Sequence, residues 1–162
     1  MDKEFLLRLD TNMQKIKTNL LISDNVRNLL FNDNETNFIP SIEQMEEYIF
    51  TQPIIDVGSE PPYNKKNYIT ITMPNARQDY DELSIDYTMR IMVMCDKQTW
   101  MYEGKQRPLL LGQEIVNILN HLMIDSSHSL VFQNFCETVT NKDVAGYSFL
   151  FSLRDGTADE DK

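Results

Sequence analysis

The sequence predicts an α+β fold, in which helices pack on an antiparallel or mixed four-stranded sheet. Three observations predict it. Apolar residues recur at helical spacing over residues 3–21 and again in "RPLLLGQEIVNILNHLM". Four segments, "NYITITM", "SIDYTMRIMVMC", "SLVFQNFCETV" and "GYSFLFSLR", alternate with the period of a strand. Their order places one helix between two pairs of consecutive strands, which suits hairpins rather than a run of parallel crossovers. At 162 residues the chain is long enough for one domain with a core of its own. We divide it into an N-terminal helical segment, 1–50, packed on an α+β core, 51–154, with an acidic tail at 155–162.

The elements follow in order. Phe5, Leu6, Leu9, Met13, Ile16 and Leu20 mark the first helix. Ser23 or Asp24 can cap a second, short one, with Val26, Leu29 and Leu30 on one side. Ser41 stands three residues before Gln44, the spacing of a capping box, and opens a brief third helix. "PIIDVGSEPPYNKKN" then reads as an extended loop after a short strand at Ile54 to Val57. "NYITITM" and the strand that follows "PNARQDYDE" pair antiparallel. In the second of these Ile85, Tyr87, Met89, Ile91, Val93 and Cys95 share one face. Met92 and Met94 interrupt the polarity of the other, which the N-terminal helix is expected to cover. Pro108 suits the first turn of the long helix, on which Leu111, Ile115, Ile118, Leu119 and Leu122 recur. His121 falls on that helix and His128 in the loop after it. The last two strands are linked by "TNKDVAG", and "DGTADEDK" is too poor in apolar groups to fold alone.

Charge and composition narrow the function. The formal net charge is −10, which argues against a protein that grips nucleic acid by neutralising phosphates. An acidic wall that lets DNA slide past is a different task and stays open. No run approaches the roughly 20 apolar residues of a membrane span, and the start lacks a signal-peptide core, so we read the protein as intracellular and expect no membrane contact. Cys95 and Cys136 lack the CxxC spacing of a zinc site and read as buried free thiols. His121 and His128 are the only histidines, and no cluster at ligand spacing surrounds them. No glycine-rich phosphate loop occurs. We therefore expect no enzyme, no cofactor and no metal. The polar loops holding Tyr63 and Tyr80 can reach a neighbouring copy, since tyrosine joins contact area to a polar handle. Trp100, leaving its strand after "DKQT", either packs on the subunit's own sheet and helix or anchors a contact between subunits.

Six segments, "NVRNLLF", "NYITITM", "VMCDKQTW", "RPLLLGQEIVNILN", "LVFQNF" and "GYSFLFSLRD", stand in an order that resembles small neck proteins of tailed bacteriophages, the tail-terminator-like or head–tail connector family. The resemblance covers most of residues 24 to 154. Cys95 to Trp100 is similar to that family's strand running out into an aromatic, and Arg107, Glu114, Ile115 and Asn117 to its helix. Gly146 and Tyr147 are similar to the "GY" that opens its final strand. In that family these positions are architectural. The resemblance implies a virion protein that forms a ring, a hexamer or larger, at the junction of tail and head. Such a ring closes the tail tube, lines the DNA channel without binding DNA specifically, and meets other neck, adaptor or tail-tube proteins. Tyr63, Tyr80, Trp100 and Arg107 are the candidate subunit-interface residues. The other reading is an acidic adaptor or regulatory binding module, monomeric or dimeric, whose surface meets a basic partner.

Overall fold

In the computed structural model, residues 4–31, 38–51, 67–78, 85–139 and 143–155 are described. The first helix, α1 (Phe5–Ile22), turns Leu9, Ile16, Leu20 and Leu21 inward. It stops where Ser23 becomes extended, and the Ser23 hydroxyl accepts from the Val26 N–H at 3.3 Å, opening α2 (Asp24–Phe31). The Ser41 hydroxyl accepts from the Gln44 N–H and the Gln44 side chain accepts from the Ser41 N–H. This reciprocal cap starts the four-residue α3 (Ile42–Met45), which tightens into a 3-10 turn at Glu46–Tyr48.

Among the described residues the sheet is mixed and has five strands in the order β1-β2-β3-β7-β6. Four are long: β2 (Asn67–Gln78), β3 (Ile85–Asp96), β6 (His128–Val139) and β7 (Val144–Asp155). They pair antiparallel, as the sequence predicts. The fifth, β1 (Ile49–Phe50), was not expected. It runs parallel to β2 and makes the sheet mixed, because the chain arrives from α3 in the same direction as β2 leaves. The predicted strand at 54–57 lies outside the described residues. A small hairpin of β4 (Met101–Tyr102) and β5 (Lys105–Gln106) feeds α4 (Arg107–Leu119).

All the helices lie against one face of the sheet. Ile69, Ile71, Tyr87, Met89, Ile91, Val93 and Cys95 join Leu9, Ile16, Leu20, Leu111, Ile115 and Leu119 in a single core. The Asn12 amide donates to the Tyr87 hydroxyl at 3.3 Å, tying α1 to β3 on this side. The expectation that α1 covers Met92 and Met94 is therefore corrected: those residues point to the opposite face. There Met94 is buried beside its register partner Tyr68, and the Phe50 ring meets the Tyr68 ring edge-on.

Helix α4 approaches the sheet unusually closely at Gly112. A Cβ there would fall 1.9 Å from Phe149 Cζ, so the helix backbone rests on the Phe149 ring. The helix is also shorter than its sequence pattern suggests. It ends at Leu119, and His121 beyond it is exposed, with φ 67, rather than helical. The physical reason is the next strand: the Asn120 side chain accepts from Phe132 N–H at 2.9 Å, and His121 N–H donates to Leu130 O at 2.7 Å. Those bonds turn the chain away from the helix axis.

Candidate assembly surface

Trp100 follows the 3-10 turn Lys97–Thr99, which Asp96 opens by accepting from Gln98 N–H at 2.7 Å. The indole is half-buried. Its ring lies 6.4 Å from Tyr147, and from there an aromatic row crosses β7 and β6. Tyr147 meets Phe135 at 5.7 Å, Phe135 stacks on Phe149 at 5.9 Å, and Phe132 stands 6.5 Å from Phe149 and 5.5 Å from Phe151. The row runs from the half-buried Trp100 to the fully buried Phe151, and between them Phe135 is 54% exposed. Trp100→Ala is expected to cost roughly 1–3 kcal/mol, less than the full aromatic-to-alanine range, because only part of the indole leaves water. Thermal melting measured beside oligomer state checks it. A variant that melts as the parent does and assembles as the parent does removes Trp100 from both roles.

Arg107 is placed differently from its expected surface position. It is fully buried inside the subunit. Nε donates to Thr99 O at 2.7 Å, Nη1 donates to Leu29 O, and the guanidinium sits 4.8 Å over the Tyr102 ring. One side chain thus ties α2, the 3-10 turn and the hairpin to the start of α4, a task suited to the planar fork of arginine. Arg27 does the same for the other end of α2. Its Nε donates to Pro40 O at 2.9 Å and its Nη1 to Ile22 O at 3.0 Å, and it also reaches Leu21 O. Tyr63 and Tyr80 lie outside the described residues.

The outer edge of β6 is the feature the sequence did not announce. Over its first half the chain closes its own edge. Ile124 N–H donates to His128 O, Leu130 N–H donates to Leu122 O, and Leu130 O accepts from His121 N–H. Asn120 then takes the Phe132 N–H. Outward groups therefore belong to residues 128, 130 and 132. The register slips by one residue between Phe132 and Asn134, a β-bulge, so the outward set becomes 135, 137 and 139. Among the described residues nothing lies along that second half, and residues 133–137 are all exposed. Cys136 is among them, which corrects its reading as buried; only Cys95 is interior. Burial pushes the Cys95 thiol up to about 12, against the opposing pull of the Arg107 charge.

Leu6 and Leu7 near the start of α1, Ile22 at its end and Phe38 after α2 are each more than half exposed, at 73, 68, 59 and 53%. A half-open groove of about 460 Å³ runs between α2, the β4–β5 hairpin and α4, lined by Asn25, Asn28, Tyr102, Lys105 and Glu114 among others. Its polar lining is partly engaged with itself: the Asn28 amide donates to the Tyr102 hydroxyl at 3.2 Å and the Asn25 amide to Glu114 at 3.4 Å. Among the described residues no group of three or more His, Cys, Asp or Glu is arranged to hold a metal ion. No helix among them is long and apolar enough to cross a membrane.

A family model, YomW, matches residues 23–153, from the start of α2 into β7. Helix α1 precedes the matched span. No curated protein matches the chain.

Proposed function

Because the chain belongs to the YomW family, a family of phage type, we propose that it is a structural protein of a tailed-phage particle. In this reading copies of it form a ring at the junction of tail and head, as a tail terminator or neck connector, ending the tail tube and lining the path of DNA. One observation carries the reading. Among the described residues the subunit has a helix-backed core, yet large apolar side chains stay exposed and half a sheet edge is uncovered. Open strand edges are costly in an isolated protein and normal in one whose edge is covered by a neighbour. The net charge of −10 supports a channel wall that repels phosphate. Trp100, half-buried at one end of the aromatic row, is a candidate contact in such a ring.

Mass spectrometry of purified phage particles tests the reading, with negative-stain images of the isolated protein beside it. The expected result is the polypeptide in the particles at the low, fixed copy number of a ring, and annular particles on the grid. Its absence from purified particles, with one basic partner captured at matched stoichiometry instead, overturns the reading in favour of an adaptor.

A further inference from the structure

We propose that the open half of β6, residues 134–139, is a self-pairing edge. A second copy of the chain lays its own 134–138 antiparallel against it about a two-fold axis through Cys136, with 134 facing 138 and 135 facing 137, joining the two sheets into one. The observation behind this is the split treatment of a single edge. The Asn120–Ile124 segment satisfies the outward groups at 128, 130 and 132, so this fold has a means of closing its edge and applies it only up to the bulge. Beyond the bulge, Phe135, Glu137 and Val139 direct N–H and C=O groups outward. The segment "NFCETV" contains no proline and no lysine, and beyond the bulge its one charge is Glu137.

Why a second copy fits follows from length and charge. The open stretch is bounded on one side by the Asn120 cap at Phe132 and on the other by the end of β6 at Val139. Two such stretches placed antiparallel have equal length, and each ends where its partner's closing segment begins. Glu137 is the one carboxylate in the stretch. Centring the axis on Glu137 would set two carboxylates opposite each other, which is unfavourable for cross-strand neighbours. Centring it on Cys136 places Glu137 opposite Phe135 of the other copy and brings the two Cys136 side chains together as a non-hydrogen-bonded pair. In such a pair the Cα atoms lie about 4.5 Å apart, within the range a disulfide spans. The two Phe135 side chains then lie diagonally across the new pair of strands, on the same face. Because every copy has one β6 edge, any assembly built through this contact contains an even number of copies.

The inference does not depend on the neck reading, and its test is separable from it. Cys95 is interior, so Cys136 is a single reporter thiol. Mild oxidation of the native protein is expected to give a dimer that reduction reverses and that Cys136→Ser abolishes. Glu137→Pro is the second arm. The 137 N–H points away from β7, so proline there leaves the internal ladder intact and removes one bond of the pairing. Its far-ultraviolet spectrum should match the parent, while dimer dissociation shifts to at least tenfold higher protein concentration. Raising the salt concentration should tighten the dimer, because two chains of charge −10 repel. An assembled protein whose Cys136 stays freely reactive and does not cross-link, or whose assembly is unchanged by Glu137→Pro, overturns the pairing and leaves the phage-particle reading standing.

Discussion

Gly146→Val is expected to leave no stably folded subunit. Gly146 pairs with Met94 in the centre of the sheet, and a Cβ built on it would fall 1.7 Å from Val93 O and 2.8 Å from Val93 C. Both atoms are backbone, so no side-chain rotation relieves the overlap. The strands β3 and β7 would have to part, and both contribute core residues on the helix face, Ile91 and Val93 from one and Phe149 and Phe151 from the other. A change that separates two central strands belongs in the exceptional class of more than about 4–5 kcal/mol. That is comparable with the whole stability of a typical domain, about 5–15 kcal/mol. Gly146→Ala carries the same overlap and should fail in the same direction. Soluble yield and urea unfolding measure it; an alanine variant within about 1 kcal/mol of the parent would show that the strands approach less closely than described.

The second large effect is expected at Arg107. Arg107→Met keeps much of the side-chain volume but removes the donors to Thr99 O and Leu29 O and the stack on Tyr102. The cost is the desolvation of buried carbonyls left without that donor, about 1–3 kcal/mol each, so a total near 3–5 kcal/mol is expected. Arg107→Lys should recover only part of it. A single ammonium presents no fork, and it cannot serve two carbonyls from different elements in the same geometry. Denaturant unfolding should show midpoints in the order parent, lysine, methionine. An Arg107→Met variant as stable as the parent, with assembly lost, would return Arg107 to the subunit interface.

These two positions also show what the sequence could reveal and what it could not. The long strands and the face shared by Tyr87, Met89, Ile91 and Val93 are legible because period-two patterning is local. The Ser41–Gln44 cap is legible for the same reason: donor and acceptor are three residues apart. Arg107 is different. Its burial depends on carbonyls of Leu29 and Thr99, the first far away in the chain, and no local pattern distinguishes such an arginine from a solvated one at a helix start. The two-residue β1 is too short to carry a period. A strand-like setting alone does not distinguish the interior Cys95 from the exposed Cys136, because it does not say which strand lies at the edge of the sheet.

The aromatic row has the same lesson in reverse. Trp100, Tyr147, Phe135 and Phe149 come from three separate segments, and only the β6–β7 register brings them into line. The sequence pointed to Trp100 because it is the lone tryptophan, and the fold adds what stands beside it. Phe135 attracted no notice in the sequence, since an aromatic in a strand is ordinary; its exposure at an open edge is what gives it meaning.

The central claim is that this polypeptide completes its own core and commits the surface left over to further copies of itself. Light scattering of the purified protein across a wide concentration range addresses that claim most directly. The account predicts a particle whose mass is an even multiple of the 19.0 kDa chain. A species of single-chain mass at every concentration would contradict it.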